Sequence, residues 1–261
     1  MPDFVSSSSN PLIKQARALR QKKARDESGM FLVEGILHVG EAAEAGWDID
    51  TLLYCSERLK SEFALQLINK LIKNGVQSVQ VSESAFESFA EKENPQGIAA
   101  LVKQKNRTLK DIPPVEFMVA TISPQDPGNV GSILRTIDAV GADGLILLDG
   151  GVDPYHPSVV RASMGALFWK PFFTGSFSQF VEWSIAERVR IIGTSAHASV
   201  DYHQVKLDSR PTVLLMGSEQ KGLLPGQMDL CSDMISLPMN GRATSLNLAV
   251  ATGIFLYSLK G

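Results

Sequence analysis

The sequence predicts an α/β protein built of two units, and three observations carry that reading. Short apolar runs of strand length alternate with amphipathic helical segments along the whole chain. The 261 residues, 44% hydrophobic and 20% charged, are enough for two domains, each with a buried core. Between them, Lys103–Pro114 (KQKNRTLKDIPP) breaks the alternation with a polar, basic stretch that ends in two prolines. The predicted organisation is a smaller α/β unit at 1–105, a linker at 106–114 and a larger unit at 115–261.

In the first unit, Ser6–Ser9 is a low-complexity lead-in. Asn10-Pro11 reads as an N-cap followed by a first-turn proline. It opens a helix through LIKQARALRQKK with Leu12, Ala16 and Leu19 as its apolar stripe. Then come a strand at Phe31–Val33, a helix over Ile36–Ala45 stopped by Gly46, and a strand at Leu52–Cys55. A long amphipathic helix over 57–73 ends at Asn74-Gly75, which suits a left-handed cap. Strand Val76–Val81, short helix Glu83–Glu91 and strand Gly97–Val102 complete a unit whose alternation implies a mostly parallel sheet.

The second unit opens with strand Phe117–Ile122, helix Val130–Val140 and strand Leu145–Leu148. A helix near Ser158–Met164, strand Phe172–Thr174 and helix Phe177–Arg188 follow. Strands at Arg190–Gly193, Thr212–Met216 and Met234–Leu237 lead to a closing helix over Ser245–Leu259. There is no internal repeat.

Composition excludes several classes. No apolar run approaches the roughly 18 residues that cross a bilayer, and MPDFVSSSSNPLIKQ lacks the layout of a secretion signal. The two cysteines, Cys55 and Cys231, lie in apolar stretches, as expected of free thiols in a reducing cytoplasm. Neither they nor the four histidines have metal-ligand spacing, so no metal is expected. A net charge of −3 argues against a nucleic-acid partner, but its distribution does not. Residues 1–110 carry 15 basic against 14 acidic side chains, and Lys14, Arg17, Arg20, Lys22, Lys23 and Arg25 fall close together. That cluster is either a phosphate-contacting surface or a solvated helix face.

Three loop-rich segments follow apolar strands of the second unit, where open α/β sheets usually bind ligands. In Ser123–Arg135, Asn129 stands where a helix N-cap would, Gly131 allows close backbone approach, and Arg135 either faces a bound anion or lies on the surface. Gly217–Gly222 has phosphate-loop spacing, but Leu223-Leu224 replaces the required Lys-Ser/Thr; Glu219 there suits a hydrogen-bond acceptor or a plain turn. In Ile235–Ala251, a strand runs into Pro238, Asn240-Gly241 makes a tight turn, and Thr244 or Ser245 can cap the last helix. Asn247, a polar amide in an otherwise apolar first turn, points to a functional or network role. No G-x-G-x-x-G follows a strand, and G-x-S-x-G and H-E-x-x-H are absent.

In this order the segments resemble the three motifs of the SpoU (TrmH-type) RNA 2′-O-ribose methyltransferases. Asn129-x-Gly131-x-x-x-Arg135 with Gly141 is similar to the first, Gly217-x-Glu219-x-x-Gly222-Leu223 to the second, and Leu237-Pro-Met239-x-Gly241 with Ser245-Leu246-Asn247 to the third. Asp153–Gly165 also matches the family's style, and the stretch from Asn10 to Gly35 resembles the substrate-binding domain many members carry. The resemblance implies a SPOUT-type knotted domain with a deep trefoil knot, a smaller RNA-binding domain, a homodimer, and S-adenosylmethionine as cofactor. It implies Arg135 as the catalytic position, with Asn129, Glu219, Ser245 and Asn247 placing the reactants. Gly217, Leu237, Met239, Ser245 and Leu246 would hold the cofactor. It turns the basic cluster toward RNA, with ribosomal RNA favoured over transfer RNA. A catalytically silent RNA-binding homologue and a small-molecule methyltransferase are the alternatives. Ser158, Gln220 and Asp138 depart from the family's habit without removing a motif residue.

Overall fold

A buried interior strand, second from one edge of its sheet, runs against both neighbours in the first unit. The computed structural model describes residues 3–91 and 94–260. One unit runs to Lys105 and takes in Tyr155–Phe168; the other comprises Asn106–Pro154 and the chain from Trp169.

The first unit contains β1 (Asp3–Val5), α1 (Pro11–Ala18), α2 (Lys22–Ser28), β2 (Met30–Glu34), α3 (Ile36–Glu44), β3 (Ile49–Tyr54), α4 (Glu62–Lys73), β4 (Gln77–Val81), α5 (Glu83–Glu87) and β5 (Ile98–Lys103). The sheet order is β1-β4-β3-β5-β2. Pairs β1/β4 and β3/β4 are parallel, but β5 is antiparallel to both β3 and β2. Four strands share a direction and β5 reverses it, so two of the four pairings are antiparallel and the sheet is mixed where the alternation predicts a mostly parallel one. After β4 the chain passes through the five-residue α5 and enters the sheet between β3 and β2, antiparallel to both.

The predicted basic helix is two helices. Leu19 is buried at the break, and the buried Arg25 guanidinium donates to the carbonyls of Leu19 (2.7 Å) and Arg20 (2.8 Å). Those are carbonyls that the end of α1 leaves unpaired. No glycine or proline marks this point, so the sequence pattern ran through it. β1 pairs at the sheet edge although its three residues carry no periodicity.

The middle of the chain supplies β6 (Phe117–Ile122), α6 (Pro127–Val140), β7 (Leu145–Leu148), α7 (Pro157–Ala162), α8 (Ala166–Trp169), β8 (Phe172–Gly175) and α9 (Phe177–Ala186). Then follow β9 (Arg190–Thr194), β10 (Val200–Asp201), β11 (Thr212–Met216), α10 (Pro225–Met228), β12 (Asp233–Ser236) and α11 (Leu248–Lys260). The second sheet, β10-β12-β9-β11-β6-β7-β8, is parallel at every pairing. β6, β7 and β11 are buried from end to end, as strands of a sheet covered on both faces must be. Met118, Ala120, Ile146, Leu148, Val213 and Leu215 form one core with Phe173 and Phe180. Leu109, within the predicted linker, is buried in the same core.

Candidate functional site

Because every strand of the second sheet points the same way, the segments after β6, β11 and β12 all leave its carboxyl edge. That edge is where α/β sheets build ligand sites. Backbone strain gathers here too: Ser123 (φ 43°) and Asp149 (φ 55°) are left-handed, and they directly follow β6 and β7.

The segment after β6 turns into α6, whose cap is not Asn129. Asp126 accepts from the Asn129 backbone N–H at 2.8 Å, and Pro127 follows it at the first helical position. Asn129 thus stands inside the first turn with its amide free for other work. Its Nδ2 donates to Glu219 Oε1 at 3.3 Å, and its Oδ1 accepts from Asn247 Nδ2 at 2.8 Å. Glu219 also accepts from the backbone N–H groups of Gln125 (3.1 Å) and Asp126 (3.4 Å). The three segments are joined by one hydrogen-bond relay, Asn247 to Asn129 to Glu219.

Asn247 does more than the sequence assigned to it. Helix α11 begins at Leu248, and Asn247 Oδ1 caps it by accepting from Ala249 N (2.9 Å) and Val250 N (3.2 Å). Thr244 and Ser245, the expected caps, lie exposed before the helix. Asn247 alone brings both of its side-chain groups into reach, one for the helix and one for the relay.

Gly217, at the end of β11, has no room for a side chain. A Cβ there would lie 2.1 Å from the Gly222 carbonyl carbon and 2.4 Å from Leu223 N. The loop is closed by reciprocal backbone bonds between Ser218 and Gly222, with Gly222 left-handed at φ 64°. Gly151 makes a similar approach from the β7 side, where its Cβ would lie 2.3 Å from Pro124 O and Val152 N donates to that oxygen. Asp126, the Ser123 turn and Gly151 escaped the sequence reading. Asp126-Pro127 repeats the Asn10-Pro11 cap signature and was legible; nothing in the sequence announces the other two.

The residues present fit S-adenosylmethionine. Among the described residues, the backbone from Leu237 to Leu246 makes no hydrogen bond, so a run of N–H and C=O groups is open to a ligand. Leu237 and Met239 are half-buried there, and Leu246 is exposed. Arg135 is exposed on α6, and its side chain makes no hydrogen bond or ion pair among the described residues. No cluster of three or more His, Cys, Asp or Glu able to hold a metal occurs among the described residues. Burial pushes both thiols up to about 11, with Cys55 also hydrogen-bonded to Glu57, so neither is a poised nucleophile.

Within the first unit the basic cluster is less available than its sequence suggests. Arg25 is buried at the helix break and is no surface contact, which corrects its expected role. Arg17 donates to Ser88 O (2.9 Å) and Oγ (2.8 Å), and Arg20 donates to Ala90 O. Lys22 and Lys23 make i,i+4 pairs with Asp26 and Glu27 that solvent weakens. Lys14 is exposed.

Residues 116–257 match the SpoU rRNA Methylase family, and residues 10–100 match the MRM3-like substrate binding domain. A 23S rRNA (uridine(2479)-2′-O)-methyltransferase of Streptomyces viridochromogenes is 34% identical over 96% of this chain and 90% of its own. The 23S rRNA (guanosine(2553)-2′-O)-methyltransferase RlmP of Bacillus subtilis (strain 168) is 31% identical over 98% and 99%. An AdoMet-bound rRNA methyltransferase from Sinorhizobium meliloti superposes with a TM-score of 0.90, at 38% identity over 98% of this chain and 96% of that one.

Proposed function

Because the chain belongs to the SpoU rRNA methylase family, we propose that it transfers the methyl group of S-adenosylmethionine to a ribose 2′-hydroxyl of ribosomal RNA. The observation that carries this is the Asn247–Asn129–Glu219 relay, which joins the three motif segments, with Arg135 on the helix that bears Asn129. S-adenosylmethionine brings a methyl group already activated on a sulfonium. What the protein must add is alignment and a route for the hydroxyl proton. Arginine stays protonated in proteins, so Arg135 is a poor base. It holds the phosphate beside the target ribose and orients the hydroxyl. Glu219, its oxygens committed to Gln125 N, Asp126 N and Asn129 Nδ2, positions the helix that bears Arg135. Ser245 and the open backbone around Leu237, Met239 and Leu246, with Gly217, hold the cofactor.

The test is transfer of tritiated methyl groups to ribosomal RNA from a strain lacking the gene, followed by mapping of the modified ribose. Arg135→Ala should lower kcat at least a hundredfold and leave cofactor affinity within twofold in a calorimetric titration. Equal loss of both would sink the assignment, and label appearing in transfer RNA alone would redirect the substrate.

Three finer readings go with this proposal. β11 lies between β6 and β9, strands laid down before it, and α11 returns onto α6; both support a deep trefoil knot at the C-terminus. The exposed stripe Val250, Ile254 and Tyr257 on α11 supports a homodimer. Free thiols and a ribosomal substrate fit the cytoplasm.

A further inference from the structure

Three consecutive left-handed residues follow β7: Asp149 (φ 55°), Gly150 (φ 75°) and Gly151 (φ 95°). Glycine adopts such angles freely, but in Asp149 they store strain that persists only where the surroundings impose it. All three residues are exposed, so the strain serves no burial of apolar surface. Two anchors impose it. At one end the Asp149 backbone N–H donates to Gly175 O at 3.0 Å, and its Oδ1 accepts from Phe177 N at 2.8 Å. Phe177 opens α9, so that N–H belongs to a first turn without intrahelical partners. At the other end Val152 N donates to Pro124 O at 2.9 Å, and a Cβ on Gly151 would fall 2.3 Å from the same oxygen. The strap 149–152 thus ties the start of α9 to the carbonyl of Pro124.

Pro124 is buried in the turn that serves the relay. It precedes Gln125, whose backbone N–H donates to Glu219 at 3.1 Å. The Gln125 side chain closes the same turn, with Nε2 donating to Ser123 O at 2.8 Å and to Ser123 Oγ at 3.2 Å. Resting on the reading that the chain is an RNA methyltransferase, we propose that Asp149 is a positioning residue for methyl transfer. It fixes the start of the strap, the strap fixes the Pro124 carbonyl, and Pro124 sets the Gln125 N–H against the Glu219 carboxylate. Glu219 in turn holds Asn129, on the helix that bears Arg135. Alignment is what this reaction needs from the protein, and a misplacement of about 1 Å can cost about a hundredfold in rate. Asp149 and Gly151 touch neither RNA nor cofactor in this reading, so the strap governs the rate on bound substrates and leaves the affinities alone. Asp149 serves as a hydrogen-bond acceptor that tolerates a left-handed backbone, and asparagine does both.

The test measures kcat and KM for ribosomal RNA from a strain lacking the gene, with cofactor affinity by calorimetry, on full-length variants. Asp149→Ala should lower kcat about tenfold and leave KM and cofactor affinity within twofold. Asp149→Asn should restore at least half of the wild-type rate. Gly151→Ala, which drives a Cβ against backbone, should lower kcat at least as far. The double variant Asp149→Ala with Gly151→Ala should be no slower than Gly151→Ala, because both act through Pro124. Should Gly151→Ala fail to fold, the two Asp149 variants carry the test alone. Wild-type kcat in Asp149→Ala, an Asn variant as slow as the Ala variant, losses that multiply in the double variant, or a raised KM at unchanged kcat would each overturn the assignment while leaving the methyltransferase reading intact. A wild-type protein that labels no RNA would overturn both.

Discussion

Asn247 holds two structures together with one amide, and the two functions can be separated. Its Oδ1 caps α11, and its Nδ2 donates into the relay that ends on the Glu219 carboxylate. A carboxylate at one end fixes the direction of the chain: Asn129 must turn its Nδ2 to Glu219 and its Oδ1 to Asn247. Asn247→Asp keeps the cap, since Asp caps as well as Asn. It also places an acceptor against an acceptor, whichever way Asn129 turns. The expected result is a melting temperature close to wild type with methyl transfer down at least tenfold. Asn247→Ala loses the cap as well, a further destabilisation of about 0.5–2 kcal/mol. If Asn247→Asp melted early and kept its activity, the relay would have no catalytic meaning. The sequence made Asn129, Glu219 and Asn247 visible by residue type and spacing. It hid which of them capped a helix, because Asn, Asp, Ser and Thr within a few residues of a helix start are interchangeable as caps until the turn is seen.

Among the loops and helices, what separates a functional loop from a plain turn is how closely backbones meet. The Gly217 loop is the clearest case, because the atoms a Cβ would strike belong to the Gly222–Leu223 backbone and cannot rotate aside. Gly217→Ala should destabilise the protein by about 1–3 kcal/mol and weaken cofactor binding more than tenfold, read by chemical unfolding and calorimetry. The basic segment makes the complementary case. Its charge was legible, but the break between α1 and α2 was not, because only the folded chain shows Arg25 on the carbonyls of Leu19 and Arg20. Arg25→Ala should therefore lower the melting temperature by several degrees, since it strands buried carbonyls at about 1–3 kcal/mol. Lys22→Ala and Lys23→Ala, at exposed sites, should leave melting unchanged and weaken RNA binding, with a shallower salt dependence. Equal melting of all three variants would return Arg25 to the RNA surface.

The two sheets of the whole molecule show how far alternation alone carries. Strands β6, β7 and β11 are buried from end to end in a sheet that is parallel at every pairing, as strands covered on both faces must be, but the sequence placed these strands without setting their directions. The alternation in the first unit missed the reversed β5, because a pattern of apolar runs places strands without fixing the direction in which each enters the sheet. Strand order was not legible at all: β11 between β6 and β9 is a fact of packing. Packing also leaves an exposed apolar surface on α11. One face of α11 buries Leu248, Thr252, Phe255, Leu256 and Leu259, while Val250 (52% exposed), Ile254 (36%) and Tyr257 (59%) form a stripe on the other. Spacings of four and three residues keep these side chains on one face. A helix that is apolar all round is normally covered on both sides. If a second copy covers it, the wild type should sediment as a dimer, and Val250→Glu with Tyr257→Glu should yield a folded monomer, because neither side chain belongs to the buried face. That monomer should keep its far-ultraviolet circular dichroism and lose methyl transfer, since Asn247 and the open segment before it lie at the start of the same helix. A wild-type protein that sediments as a monomer at micromolar concentration would leave the stripe to another partner and the site complete in a single chain.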